Sequence, residues 1–167
     1  MALIEKTERL IECLRSELQQ YGEMLALLDQ QQANVVRRVA DDLLITAAAI
    51  DAQSAAVQKA RQERESCQSG LAQDLLPPGQ ATLAALTQIL PTKYRPLVQA
   101  LVHENNQLLF RVRQRAHQNH ILITRSMQLM QRLIATLVPV QQTPVYDGQG
   151  HLSAPAPRGS SLYEAVG

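Results

Sequence analysis

His117 and His120 lie three positions apart, close enough on a helix to share a metal ion. Their surroundings argue against it: no acidic residue lies between or near them, and Arg115 and Arg125 repel a cation. Cys13 and Cys67 are separated by 54 positions with no second pair, so neither a disulfide framework nor a zinc ligand set is written here. Two reduced thiols carried on helices are expected. His103 beside Glu104, and His151, read as solvated polar residues. Asp147-Gly148-Gln149-Gly150 lacks the spaced carboxylates of a calcium loop. No glycine-rich phosphate loop follows a strand, and no nucleophile, base and orienting group can be assembled from local spacing. The chain reads as a binding protein, with no catalytic residues, no metal site and no cofactor.

Five arginines, Arg111, Arg113, Arg115, Arg125 and Arg132, occupy a stretch without an acid. A phosphate-binding face is one meaning of such a run. The plainer one is a solvated helix that meets the acids of an earlier helix. Charge distribution favours the second: residues 1–90 hold 12 acidic and 8 basic side chains, residues 91–167 hold 3 and 8, and the total is only +1. Complementary halves need no nucleic acid.

The elements that position these groups are helices. Hydrophobic residues make up 46% of 167 residues, enough for a core, but with one Phe, four Tyr and no Trp. From Leu3 to about Asp74 no proline occurs and Glu, Gln, Ala, Leu and Arg dominate, which predicts one very long helix or two nearly collinear ones. Leu14, Leu18, Tyr21, Leu25, Leu28, Gln32, Val35 and Val39 alternate by four and three, a coiled-coil seam. The seam shifts through Leu43, Ala47 and Ile50 and thins into alanine and glutamine near residues 52–60.

Leu75-Leu76-Pro77-Pro78-Gly79 ends this helix, because proline removes donors and biases the preceding residue out of the helical region. Thr82 to Leu90 reads as a short helix with Leu83, Leu86, Ile89 and Leu90 on one side, closed by Pro91. From about Lys93 to Leu137 a third helix carries Leu97, Leu101, Leu108, Val112, Leu122, Leu129, Leu133 and Leu137, long enough to run back along the first. The expected fold is therefore all-α: a long antiparallel helical hairpin or coiled-coil bundle with a short middle helix. Asn105, Arg115, Asn119 and Ser126 interrupt the seam of the third helix at some cost in stability. Register control explains them, and so does a groove that receives another helix.

Residues 138–167 hold four of the eight prolines and four of the seven glycines, which predicts a flexible tail following a helical domain at 1–137 with helices at about 3–74, 82–90 and 93–137. Within it the tyrosines of Tyr146-Asp147-Gly148 and Ser161-Leu162-Tyr163 have no core to join and look like docking sequences. With no basic region before an apolar run at the N-terminus and no apolar stretch of about 18 residues, a cytoplasmic chain without membrane insertion is expected.

Four features together resemble the FlgN family of flagellar export chaperones over nearly the whole chain. Leu14, Leu18, Tyr21, Leu25 and Leu28 resemble the family's opening helix. Ile89-Leu90-Pro91 followed by Tyr94-Arg95 resembles its central leucine-proline turn. Asn119, Leu122 and Ser126, followed by Leu129 and Leu133, resemble its signature helix. Val145-Tyr146-Asp147-Gly148-Gln149-Gly150 resembles the tyrosine-glycine motif that opens its tail. His117 and Ile123 depart from the usual pattern, where asparagine or leucine is commoner.

The resemblance implies a chaperone that binds the C-terminal helical segments of the hook-associated proteins of the hook-filament junction. It would prevent their premature assembly and deliver them to the cytoplasmic domain of the export gate, with the export ATPase complex as a further partner. Leu108, Val112, Arg115, Asn119, Leu122, Ser126 and Leu129 are then the expected client-binding residues, and Tyr146, Asp147 and Gly148 the expected gate-binding ones. The chain would act as a monomer or weak dimer. Two other readings fit the same seam: a self-associating structural coiled coil, and a chaperone for a different flagellar or type III secretion client.

Overall fold

The computed structural model describes residues 2–77 and 82–137. Four α-helices follow in chain order: α1 at Ala2–Arg37, α2 at Ala40–Leu75, α3 at Leu83–Ile89 and α4 at Arg95–Leu137. No strand occurs among the described residues, so the all-α expectation with a short middle helix is met. The molecule divides into two units, residues 1–126 and residues 127–167.

The expected long first helix is broken in the middle. Arg38 takes a left-handed backbone with φ 59°, its N–H donates to the Val35 carbonyl at 3.2 Å, and the Val39 N–H donates to the Asn34 carbonyl at 3.2 Å. These paired bonds close the end of α1 with a left-handed residue just past the last helical one, the position usually given to glycine. Asn34 reinforces the turn through its amide, which donates to the Asp42 carbonyl and, at 3.0 Å, to the Thr46 hydroxyl. Arg37 in the last turn of α1, and Asp41 and Asp42 in the first turn of α2, suit the partial charges of the two helix ends.

The break corrects the expected topology. The antiparallel partner of α1 is α2, not α4: Lys6 pairs with Asp74, Cys13 meets Cys67, Glu17 pairs with Arg64 and Gln20 meets Gln53, so one number rises as the other falls. Along α4 and the Tyr94 just before it both numbers rise together, from Tyr94 on Glu8 through Asn105 on Leu14 to Asn119 on Leu28. Within the first unit α4 therefore runs parallel to α1.

Apolar burial concentrates where α1 begins. Leu10, Ile11 and Leu14 of α1 pack with Leu71 and Ala72 of α2, Leu86 and the adjoining Leu90 of α3, and Val98 and Leu101 of α4. The Thr82 hydroxyl accepts the Ala85 N–H and starts α3. Leu86 and Leu90 are then fully buried, and Leu83 packs at the edge of the same cluster. Ile89, expected on the same side, is exposed. The alanine-rich middle of α2 contributes little, and Thr46, Ala60, Leu71 and Ala72 are its buried residues.

Candidate functional site

The seven residues expected to bind a client fall into two groups. In the first unit the inward side of α4 is already engaged. Asn119 is buried, and its amide donates to the Leu28 carbonyl at 2.7 Å and to Gln31 Oε1 at 3.0 Å. Arg115 places Nε 2.7 Å from Asp29 Oδ1 and donates through Nη1 to Gln32. Leu108 lies over Gly22, and Leu108, Val112 and Leu122 are half-buried.

Asn105, outside the expected set, repeats the arrangement of Asn119 fourteen residues earlier, donating to the Leu14 carbonyl at 3.0 Å. Fourteen residues are two coiled-coil heptads, and the two accepting carbonyls on α1 are also fourteen residues apart. A slip of α4 along α1 breaks both contacts at once. The cost of this register lock is visible too: neither Asn105 Oδ1 nor Asn119 Oδ1, both buried, accepts a hydrogen bond from a described residue.

The second polar feature of this unit is a buried ion pair. Arg64 Nε lies 2.7 Å from Glu17 Oε2, and the Tyr21 hydroxyl donates to Glu17 Oε1 at 3.0 Å. Burial, and then the Glu17 charge, push the Tyr21 phenol up to about 12. A cavity of about 190 Å³ beside Tyr21, Arg64, Val102 and Asn105 has room for a few waters or one side chain, not for a peptide helix. Sequence reading passed over this pair. Its signal was Glu17 itself, an acid in the run Leu10, Leu14, Glu17, Tyr21, Met24, Leu28, all of which are buried.

Ser126, the last residue of the first unit, is exposed, and Leu129 belongs to the second. From Met127 to Leu137 the end of α4 carries six exposed large apolar side chains: Met127, Leu129, Met130, Leu133, Ile134 and Leu137, each at least 55% accessible. At about 100° per residue these six occupy an arc of about 160°, while Gln128, Gln131, Arg132 and Thr136 take the opposite side. Segregation this clean on a fully exposed helix is the mark of a surface made to meet another apolar surface. Tyr146, Asp147 and Gly148 lie outside the described residues.

Of the five arginines, Arg115 meets an acid of α1, as the charge distribution suggested, while Arg111, Arg113, Arg125 and Arg132 are exposed. Among the described residues no three metal-ligating side chains gather, and no helix is long and apolar enough to cross a membrane.

A family model described as FlgN protein matches residues 1–154. The chain belongs to the FlgN family. It is accordingly a flagellar export chaperone, a protein that binds flagellar export substrates. The match covers all four helices and continues beyond them through the Tyr146-Asp147-Gly148 segment. No curated protein and no solved structure matches this FlgN chain.

Proposed function

We propose that this FlgN chaperone receives the C-terminal helical segments of the hook-filament junction proteins on the apolar arc at the end of α4. The exposed arc from Met127 to Leu137 carries the proposal, because an amphipathic client helix needs a complementary apolar stripe and this one has no cover among the described residues. A secreted subunit's terminal helix exposes its own apolar stripe before assembly, and covering that stripe prevents early polymerisation without ATP. Leu129, from the expected client set, lies in the arc. Leu108, Val112, Arg115, Asn119 and Leu122 serve chiefly to hold α4 in register on α1. Tyr146, Asp147 and Gly148 contact the cytoplasmic domain of the export gate, where the client is handed over in the cytoplasm.

Calorimetric titration of the full chain with the C-terminal segment of a junction protein tests this reading. Saturable one-to-one binding is expected. Leu133→Asp weakens it at least about tenfold, since burying one leucine contributes roughly 1.5–3 kcal/mol, and leaves the melting temperature in place. Binding that Leu133→Asp does not disturb moves the client elsewhere. A chain that forms dimers through the arc, with a mass unchanged by the client peptide, supports a self-associating scaffold instead.

A further inference from the structure

Cys13 and Cys67, 54 positions apart in sequence, are brought to face each other across the α1–α2 hairpin with their sulfurs 2.9 Å apart. Cys13 is buried on α1; Cys67, on α2, is partly exposed and packs against the edge of the main apolar cluster. A disulfide needs the two sulfurs only about 0.9 Å closer, a shift within reach of side-chain rotation. Each cysteine also sits on a different arm of the hairpin, so a bond between them encloses the Arg38–Val39 turn and the alanine-rich part of α2 that contributes little to the core.

We infer that Cys13 and Cys67 form a reversible dithiol–disulfide pair that staples α1 to α2 when the surrounding low-molecular-weight thiol pool becomes oxidised. The oxidant is a small disulfide of the glutathione type. The partly exposed Cys67, as its thiolate, attacks one sulfur of that disulfide, forms a mixed disulfide and releases one small thiolate. Cys13 then loses its proton and attacks the Cys67 sulfur, forming the Cys13–Cys67 bond and releasing the second small thiolate. Two protein thiols are oxidised and one small disulfide is reduced to two thiols.

The order of the two steps follows from exposure and from the setting of Cys13. Burial, and then the hydrogen bond and charge of Cys67, raise the Cys13 thiol to about 12. It is therefore a poor first attacker. Capping Cys67 as a mixed disulfide removes both influences of Cys67 and leaves burial and the smaller, opposed charges of Arg9 and Glu63, so the second attack becomes easier once the first has happened. Oxidation restricts the unfolded chain by closing a loop of more than fifty residues, which stabilises the hairpin. Reduction leaves it held by packing and by its polar contacts.

The test uses the full reduced chain incubated at pH 8 with oxidised glutathione, followed by intact mass spectrometry, peptide mapping and thermal melting. The expected product is a monomer lighter by two hydrogens, with a Cys13–Cys67 cross-linked peptide and a melting temperature raised by roughly 10 °C. Addition of dithiothreitol restores the starting mass and melt. Cys13→Ser and Cys13→Ala should stop at a single glutathione adduct on Cys67, whereas Cys67→Ser should stay largely unmodified. A chain that carries glutathione on both cysteines, that cross-links between molecules, or that gains the internal bond without a change in melting temperature overturns the inference.

Discussion

Two parts of α4 carry the same alternating apolar spacing and meet opposite fates. From Val98 to Asn119 the inward positions are buried or half-buried, and two asparagines tie them to the backbone of α1. From Met127 to Leu137 every large apolar side chain is more than half exposed. Helix propensity and periodicity do not distinguish the two parts, so burial is decided by what lies alongside. Three of the four polar interruptions follow the same division: Asn105, Arg115 and Asn119 stand where a partner helix supplies acceptors, whereas Ser126, at the boundary, is exposed. A seam with register locks is an internal seam, and a clean apolar arc without them can accept a partner that need not be held in one register.

The largest effect belongs to the buried region. Leu86→Ala removes a fully buried side chain from the main cluster and should lower unfolding free energy by about 3 kcal/mol, read by chemical denaturation. The fraction that remains folded should bind client as before, because Leu86 contributes nothing to the arc.

Alkaline pH probes the same interior. Tyr21 is raised from 10 to about 12 by burial and by the neighbouring Glu17 charge, and Cys13 from 9 to about 12 by burial and by Cys67. The folded chain holds both protons more tightly than the unfolded one. Their contribution is therefore complete below pH 9 and is lost as pH climbs to about 12. Melting temperature should fall through that window, and Tyr21→Phe should fall less steeply; an equally steep fall would separate the alkaline response from Tyr21.

Asn119→Leu sharpens the comparison further. Replacing the amide, whose Oδ1 has no partner among the described residues, by an apolar side chain should raise stability by about 1 kcal/mol, while α4 loses one of its two register contacts to α1. Thermal melting reads the first effect, and broadened or doubled amide resonances along α4 read the second. The smallest effect is at the turn: Arg38→Gly relieves a left-handed backbone but loosens the unfolded chain, leaving a net gain of a few tenths of a kcal/mol.

The turn also shows where sequence reading stopped short. Glycine and proline are the usual punctuation of a helix, and the α1–α2 break has neither. Its signals were weaker ones, Arg37 before the break and Asp41-Asp42 after it, and a side chain at Asn34 that bonds across the turn. Missing the break exchanged the partners of α1, although the helical content, the Pro77 stop and the short α3 were all legible from composition and proline placement. Asn119 and Arg115 stood out correctly as polar seam positions. Whether they served an internal or an external partner depends on which helix lies opposite, and that is a tertiary fact. Cys13 and Cys67 were invisible as a pair for the same reason, since only the hairpin brings them together.

Hydrogen exchange of the full chain, measured with and without the C-terminal segment of a junction protein, tests the division of α4 most directly. Added protection should be confined to residues 127–137, with the Asn105–Asn119 stretch already slow to exchange in the free chain. New protection centred on residues 105–122, with the end of α4 unchanged, would mean that the client displaces the internal seam and that the exposed arc has another purpose.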